Sequence, residues 1–93
     1  MNLEKTQMLT VATTHLTYDT LENFAKICAN SGKLVCYPKS DYGYFVYLLG
    51  EPSNLDIPSD LKTILKLAFD EDCSLVCFDC DGFEIEGFET YHR

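Results

Sequence analysis

The sequence predicts an α+β fold: a ferredoxin-like β-α-β-β-α-β plait with an additional C-terminal strand and two helices on one face of an antiparallel sheet. Short β-prone apolar runs recur along the 93 residues, and two stretches between them repeat their apolar residues at helical spacing. Gly, Pro, Asn, Asp and Ser collect at the joins.

The first strand is read from Leu9, Val11, Thr13 and His15, which alternate with Thr10, Ala12, Thr14 and Leu16. Thr17 then caps a helix in which Leu21, Phe24, Ala25 and Cys28 share one face. Asp19 and Glu22 suit the positive end of its dipole, and Gly32 ends it. Residues 33–37 and 44–49 form a hairpin around 38–43, a stretch dense in turn formers. Pro58 is expected in the first turn of the second helix, with Ser59 and Asp60 accepting from its free backbone N–H groups. Leu61, Ile64, Leu65 and Ala68 make its inner face. Residues 75–78, apolar throughout, read as a central strand buried on both sides. Asp81-Gly82, with the glycine at positive φ, turns the chain into the last strand. There Phe83 and Ile85 point one way and Glu84 and Glu86 the other.

A chain this short builds one core, so a single domain, 1–93, is expected, with 1–7 as a flexible N-terminal segment. No apolar run approaches the roughly 20 residues of a membrane helix, and the first residues lack the basic stretch and apolar block of a secretory signal. A cytoplasmic protein is expected. Its five cysteines, Cys28, Cys36, Cys73, Cys77 and Cys80, are then expected as free thiols in a reducing compartment. Cys77-Phe78-Asp79-Cys80 has the spacing of a thiolate pair, but a zinc site needs a second ligand pair and only the isolated His15 and His92 are on offer. No metal and no cofactor is expected.

Charge divides the chain. Residues 1–50 hold four acids against four lysines, whereas 51–93 hold eleven acids against Lys62, Lys66 and Arg93, so the whole net charge of −8 falls in the second half. Such a segment repels nucleic acid and anionic membrane and attracts basic surfaces. The partner expected is the basic surface of a nucleic-acid-binding protein or complex, with no direct nucleic acid and no membrane. Asp70, Glu71 and Asp72 break a local rule by standing at the C-terminal end of the second helix, where the dipole disfavours each by about 0.3–1 kcal/mol. The plain alternative for the acids is solubility, and protection of a terminal edge strand by Glu84, Glu86 and Glu89.

Catalysis finds little support. Residues 76–82 look like the first motif of haloacid-dehalogenase-type phosphatases, in which a strand delivers a nucleophilic Asp and a second Asp acts as acid and base. That chemistry also takes Mg²⁺, a phosphate-holding Ser or Thr and Lys, and a later acidic pair from following strands. Only eleven residues follow Gly82, and Phe83 stands where a Thr is usual, so an Asp-rich hairpin turn is the better reading. His15, alone on the first strand, reads as structural. No phosphate loop, H-E-x-x-H or basic stripe occurs, and no catalytic residue is expected. Tyr37, Tyr42, Tyr44, Phe45 and Tyr47 cluster on the hairpin, where alternation turns about half of them outward. Tyrosine is enriched at interfaces, which makes Tyr42 and Tyr44 candidate anchors.

Four stretches, Thr14-His15-Leu16-Thr17, Tyr42-Gly43-Tyr44-Phe45-Val46-Tyr47, Ile57-Pro58-Ser59-Asp60-Leu61 and Phe78-Asp79-Cys80-Asp81-Gly82, together resemble a family of small bacterial proteins of unknown function carried on plasmids, prophages and other mobile elements. The resemblance implies genomic company rather than catalytic residues: genes that help a mobile element survive host defence or maintain itself. The leading expectation is a non-enzymatic inhibitor of anti-CRISPR or anti-restriction type whose acidic face mimics nucleic acid. Asp70, Glu71, Asp72, Asp79, Asp81, Glu84, Glu86 and Glu89 would replace phosphates, with Tyr42 and Tyr44 as anchors. The alternative is a small cytoplasmic interaction or antitoxin-like module that binds through hairpin aromatics or a sheet edge.

Overall fold

The computed structural model describes residues 7–31, 34–39 and 43–91. Strand β1 (Met8–Ala12) leads through a 3-10 turn at Thr13–His15 to two short helices, α1 (Tyr18–Glu22) and α2 (Phe24–Ser31). The hairpin strands β2 (Leu34–Pro38) and β3 (Gly43–Leu48) follow, then the long helix α3 (Ser59–Asp70) and strand β4 (Leu75–Asp79). The α+β class holds. Gly32 and Tyr42 lie outside the described residues, as do 1–6 of the expected flexible segment, while Gln7 already accepts the Leu75 N–H.

Local signals account for most boundaries. The first strand ends at Ala12, short of the expected His15, because Leu16 N–H closes a turn onto the Thr13 carbonyl at 3.0 Å. Thr17 Oγ1 accepts the Thr20 N–H and starts α1 as the sequence predicts. Pro58 is the cap of α3 rather than part of its first turn, and the hydrogen bond of the Asp60 carboxylate goes outside its own helix. Its Oδ2 instead accepts the Thr17 N–H at 2.8 Å, which ties the start of α3 to the start of α1.

The sheet is mixed, in the order β1-β4-β3-β2, not the antiparallel sheet expected. Strands β2, β3 and β4 run antiparallel in turn, and β1 lies parallel to β4 at the edge. Two strands therefore separate β1 from β2, where a split βαβ plait has one. Burial explains the change. Val76, Cys77 and Phe78 are buried on both faces of β4, so β4 takes a place with neighbours on each side, and β1, with exposed Met8 and Thr10, is left at the edge.

Register sorts side chains by parity. Val11, Val46, Val76 and Phe78 face the helices, where Phe24 of α2 and Leu61, Ile64 and Leu65 of α3 complete the core. Each large side chain buried there contributes about 1.5–3 kcal/mol relative to exposure. Phe24 stacks on Tyr44 at 4.2 Å and meets Phe78 edge-on at 5.8 Å. The opposite parity makes a second face, on which none of the described helices packs.

Cys28 in α2 and Cys36 in β2 form a disulfide with their Cα atoms 6.3 Å apart, which corrects the expectation of five free thiols. Cys73, Cys77 and Cys80 remain free. The return from helix to strand brings the pair together, a juxtaposition invisible in a separation of eight residues. Closing so short a loop removes unfolded-state entropy equivalent to about 2–3 kcal/mol in the chain-entropy model. Reduction, or the pair Cys28→Ala and Cys36→Ala, should lower the unfolding free energy in urea by about that amount. An unchanged midpoint would show that the bond carries no stability.

Candidate functional site

The expected fifth strand is absent among the described residues. In its place 80–91 form a strap of turns laid across the end of β1 and the 3-10 turn. Ala12 N–H donates to the Phe83 carbonyl at 2.9 Å and Tyr91 N–H to the Thr14 carbonyl at 2.6 Å. Between these points His15, 2% exposed, holds the strap with both ring nitrogens. Ile85 N–H donates to Nε2 at 2.8 Å, so the ring proton sits on Nδ1 and donates to the Glu89 carbonyl at 2.8 Å. His15 is structural. Backbone groups that strand pairing would have used are satisfied by a side chain, and the expected alternation fails: Phe83 is 85% exposed, while Ile85 packs against the core. Gly82 lets the strap in, because a Cβ there would stand 2.6 Å from the Val11 carbonyl oxygen. Close approach, not the positive φ expected from the sequence, calls for the glycine.

The strap brings Asp79, Asp81, Glu84, Glu86 and Glu89 to one end of the molecule. Thr14 Oγ1 donates to Glu84 Oε2 at 2.7 Å. Two further acids join from other elements, and sequence reading missed both. Asp60 and Glu89 flank a cleft of about 270 Å³ that also holds Tyr91, and Asp19 and Asp60 line the adjoining groove. The Tyr91 phenol is pushed above its ordinary pKa by burial, then by the Glu89 and Asp60 charges. The one signal available in sequence is that Asp19 and Asp60 both occupy first helical turns, where acids are favoured, so their fold role hid the spatial one.

Asp79 is engaged internally. Its Oδ1 accepts the Asp81 N–H at 2.9 Å and its Oδ2 meets Lys39 Nζ at 2.9 Å. These bonds, the backbone one first, hold the Asp79 carboxyl below the usual carboxylate range, and the same pair raises Lys39. With the Asp79 pKa depressed, the pair's contribution to stability is whole above about pH 4 and is lost as pH falls through the depressed value. Asp79, Cys80 and Asp81 offer ligand atoms within 4.8 Å of one another, and Lys39 already neutralises Asp79. Cys77 is buried in the sheet, which pushes its thiol pKa up, while Cys80 is exposed in the turn.

Asp70, Glu71 and Asp72 stand at the other end of β4, about 13 Å away along the strand. Their rule-breaking has a local account. Asp70 meets Lys66 one turn back at 3.6 Å. Cys73 N–H donates to the Ala68 carbonyl at 2.8 Å and Asp72 N–H to that of Phe69 at 3.1 Å, which closes a Schellman motif with Asp72 at φ 61°. Glycine is the usual residue there. Asp72→Gly should therefore stabilise the fold by about 0.5–1 kcal/mol, read as a higher urea midpoint, because it relieves both the left-handed conformation and an acid at the negative helix end.

Of the two candidate anchors, Tyr42 falls outside the described residues and Tyr44 is packed on Phe24. Among the described residues the exposed hairpin tyrosines are Tyr37 and Tyr47, whose outward parity depends on how β3 registers against β4. No curated protein and no solved structure matches the chain. A family model does: the C-terminal domain of a family of unknown function, DUF5983, matches residues 8–93, and the chain belongs to that family.

Proposed function

We propose that this chain is a non-enzymatic inhibitor, carried by a mobile element, that occupies the basic nucleic-acid-binding surface of a host defence complex. Carboxylates stand in for phosphates against Lys and Arg and release the same counterions. The supporting observation is the gathering of Asp19, Asp60, Glu84, Glu86 and Glu89 at one end from α1, α3 and the strap. Among the described residues none of these five has an ion-pair partner. The strap is fixed by its bonds to 12–15, so charges set on it lose little freedom on binding. The acids at 70–72 stand at the far end of β4, and Asp70 already meets Lys66, so they are left out of the binding surface.

The test is capture from host lysate followed by competition. The captured complex should bind nucleic acid, the chain and a DNA or RNA duplex should displace one another, and affinity should fall at least tenfold between about 0.15 and 0.5 M salt as exposed charges are screened. A partner that binds no nucleic acid, or an affinity indifferent to salt, would sink the proposal.

A further inference from the structure

Helix α2 and strand β2 are anchored at their starts and held weakly beyond them. The buried residues of α2 are Phe24 in its first turn and Cys28 in its second. Phe24 ties the first turn to the centre of the sheet through Tyr44 and Phe78, whereas the second turn is tied through the bond from Cys28 to Cys36. Strand β2 is the last of the sheet and pairs with β3. Leu34 buries its start, but Tyr37 and Pro38 are exposed. The disulfide therefore clamps two weakly anchored stretches, 28–31 and 36–38, to each other.

The bond is also within reach of solvent. Cys36 is partly exposed, and both cysteines line a groove of about 330 Å³ between α2 and β2. Ala25 and Ala29, both exposed, form the helical wall of this groove, and their single methyl groups leave it open. A small thiol can enter without the fold coming apart.

We propose that Cys28–Cys36 is a reversible redox latch, opened by a dithiol reductant, whose opening frees 28–31 and 36–38 while the rest of the fold stands. One thiol of the reductant joins Cys36 Sγ and releases Cys28 as a thiol, and its second thiol then displaces Cys36. Two electrons and two protons pass to the pair, and the reductant leaves as a cyclic disulfide. Glutathione disulfide reverses the step and leaves as two glutathione thiols. Reclosure is easy because Phe24 and Leu34 stay in the core and only eight positions separate the cysteines, so the thiols remain close. The latch stands independently of the acidic end: it lies at the β2 edge of the sheet, and the strap is bonded to β1 at the other.

Native reduction tests this. Dithiothreitol, with the freed thiols trapped by iodoacetamide and located by mass spectrometry, should open the pair without denaturant, and glutathione disulfide should close it again. The rate of opening should stay flat as urea rises through the folded baseline. A rate that climbs with urea as global unfolding does overturns the latch, and so does a pair that glutathione disulfide fails to close. Hydrogen exchange gives the place. On reduction, protection at 28–31 and Tyr37 should fall at least about tenfold relative to that of β4, a ratio that removes the change in global stability. The amides of Ile85 and Tyr91 should keep their ratio to β4 within about threefold. Cys28→Ser with Cys36→Ser should show the reduced pattern with or without dithiothreitol. An unchanged ratio at 28–31 and Tyr37, or an equal fall at Ile85 and Tyr91, overturns the inference.

Discussion

Reversing Glu84, Glu86 and Glu89 together to lysine should abolish binding to the captured complex, a loss of at least 1,000-fold, while the chain stays folded. Truncating one partner of a desolvated charge pair costs about 2–5 kcal/mol, and reversal adds repulsion, so the three changes reach that fold-change if two of them touch Lys or Arg. The fold should tolerate the change. Glu89 serves the His15 contact through its backbone carbonyl, Glu86 is exposed, and Glu84 gives up one exposed hydrogen bond to Thr14. The comparison variant is Asp70→Lys with Glu71→Lys, whose binding should stay within about threefold of wild type, since these acids lie at the far end of β4. Isothermal titration with circular dichroism as the folding check separates the cases. Loss at 70 and 71 with retention at 84, 86 and 89 would move the surface to the other end of the molecule.

His15→Ala should cost about 3–5 kcal/mol of the roughly 5–14 kcal/mol expected for a domain of this length. The change strands a donor on Ile85 and an acceptor on Glu89 and empties a buried ring's volume beneath the strap. His15→Gln, which offers an acceptor and a donor, should recover part of the loss. Urea unfolding gives the magnitude. Hydrogen exchange gives the place: the amides of Ile85 and Tyr91 should lose protection before those of β3 and β4, because the strap can detach while the sheet stands. An unchanged midpoint, or uniform loss of protection, would show that the imidazole does not hold the strap.

The sequence by itself determined what depends on neighbours along the chain. The spacing of Leu61, Ile64, Leu65 and Ala68 sets the inner face of α3, and all four are buried. Thr17 caps its helix from within three residues. The apolar run at 75–78 announces a strand covered on both sides, as β4 is. Only the tertiary structure decided which segments meet. Strand β4 enters between β1 and β3 because its two apolar faces need cover, a competition among all strands that no window of residues records. The same nonlocal choice sets the parity that packs Tyr44 on Phe24 and turns Tyr37 and Tyr47 outward. It brings Cys28 to Cys36, and it turns an alternating segment into a strap once His15 accepts the Ile85 N–H that a fifth strand would have spent on a neighbour. The acids follow the backbone: eight close in sequence are split between the two ends of β4, while Asp19 and Asp60, distant in sequence, join the strap. Periodicity fixes which way a side chain faces within its element, but pairing is settled by burial and hydrogen-bond satisfaction over the whole chain.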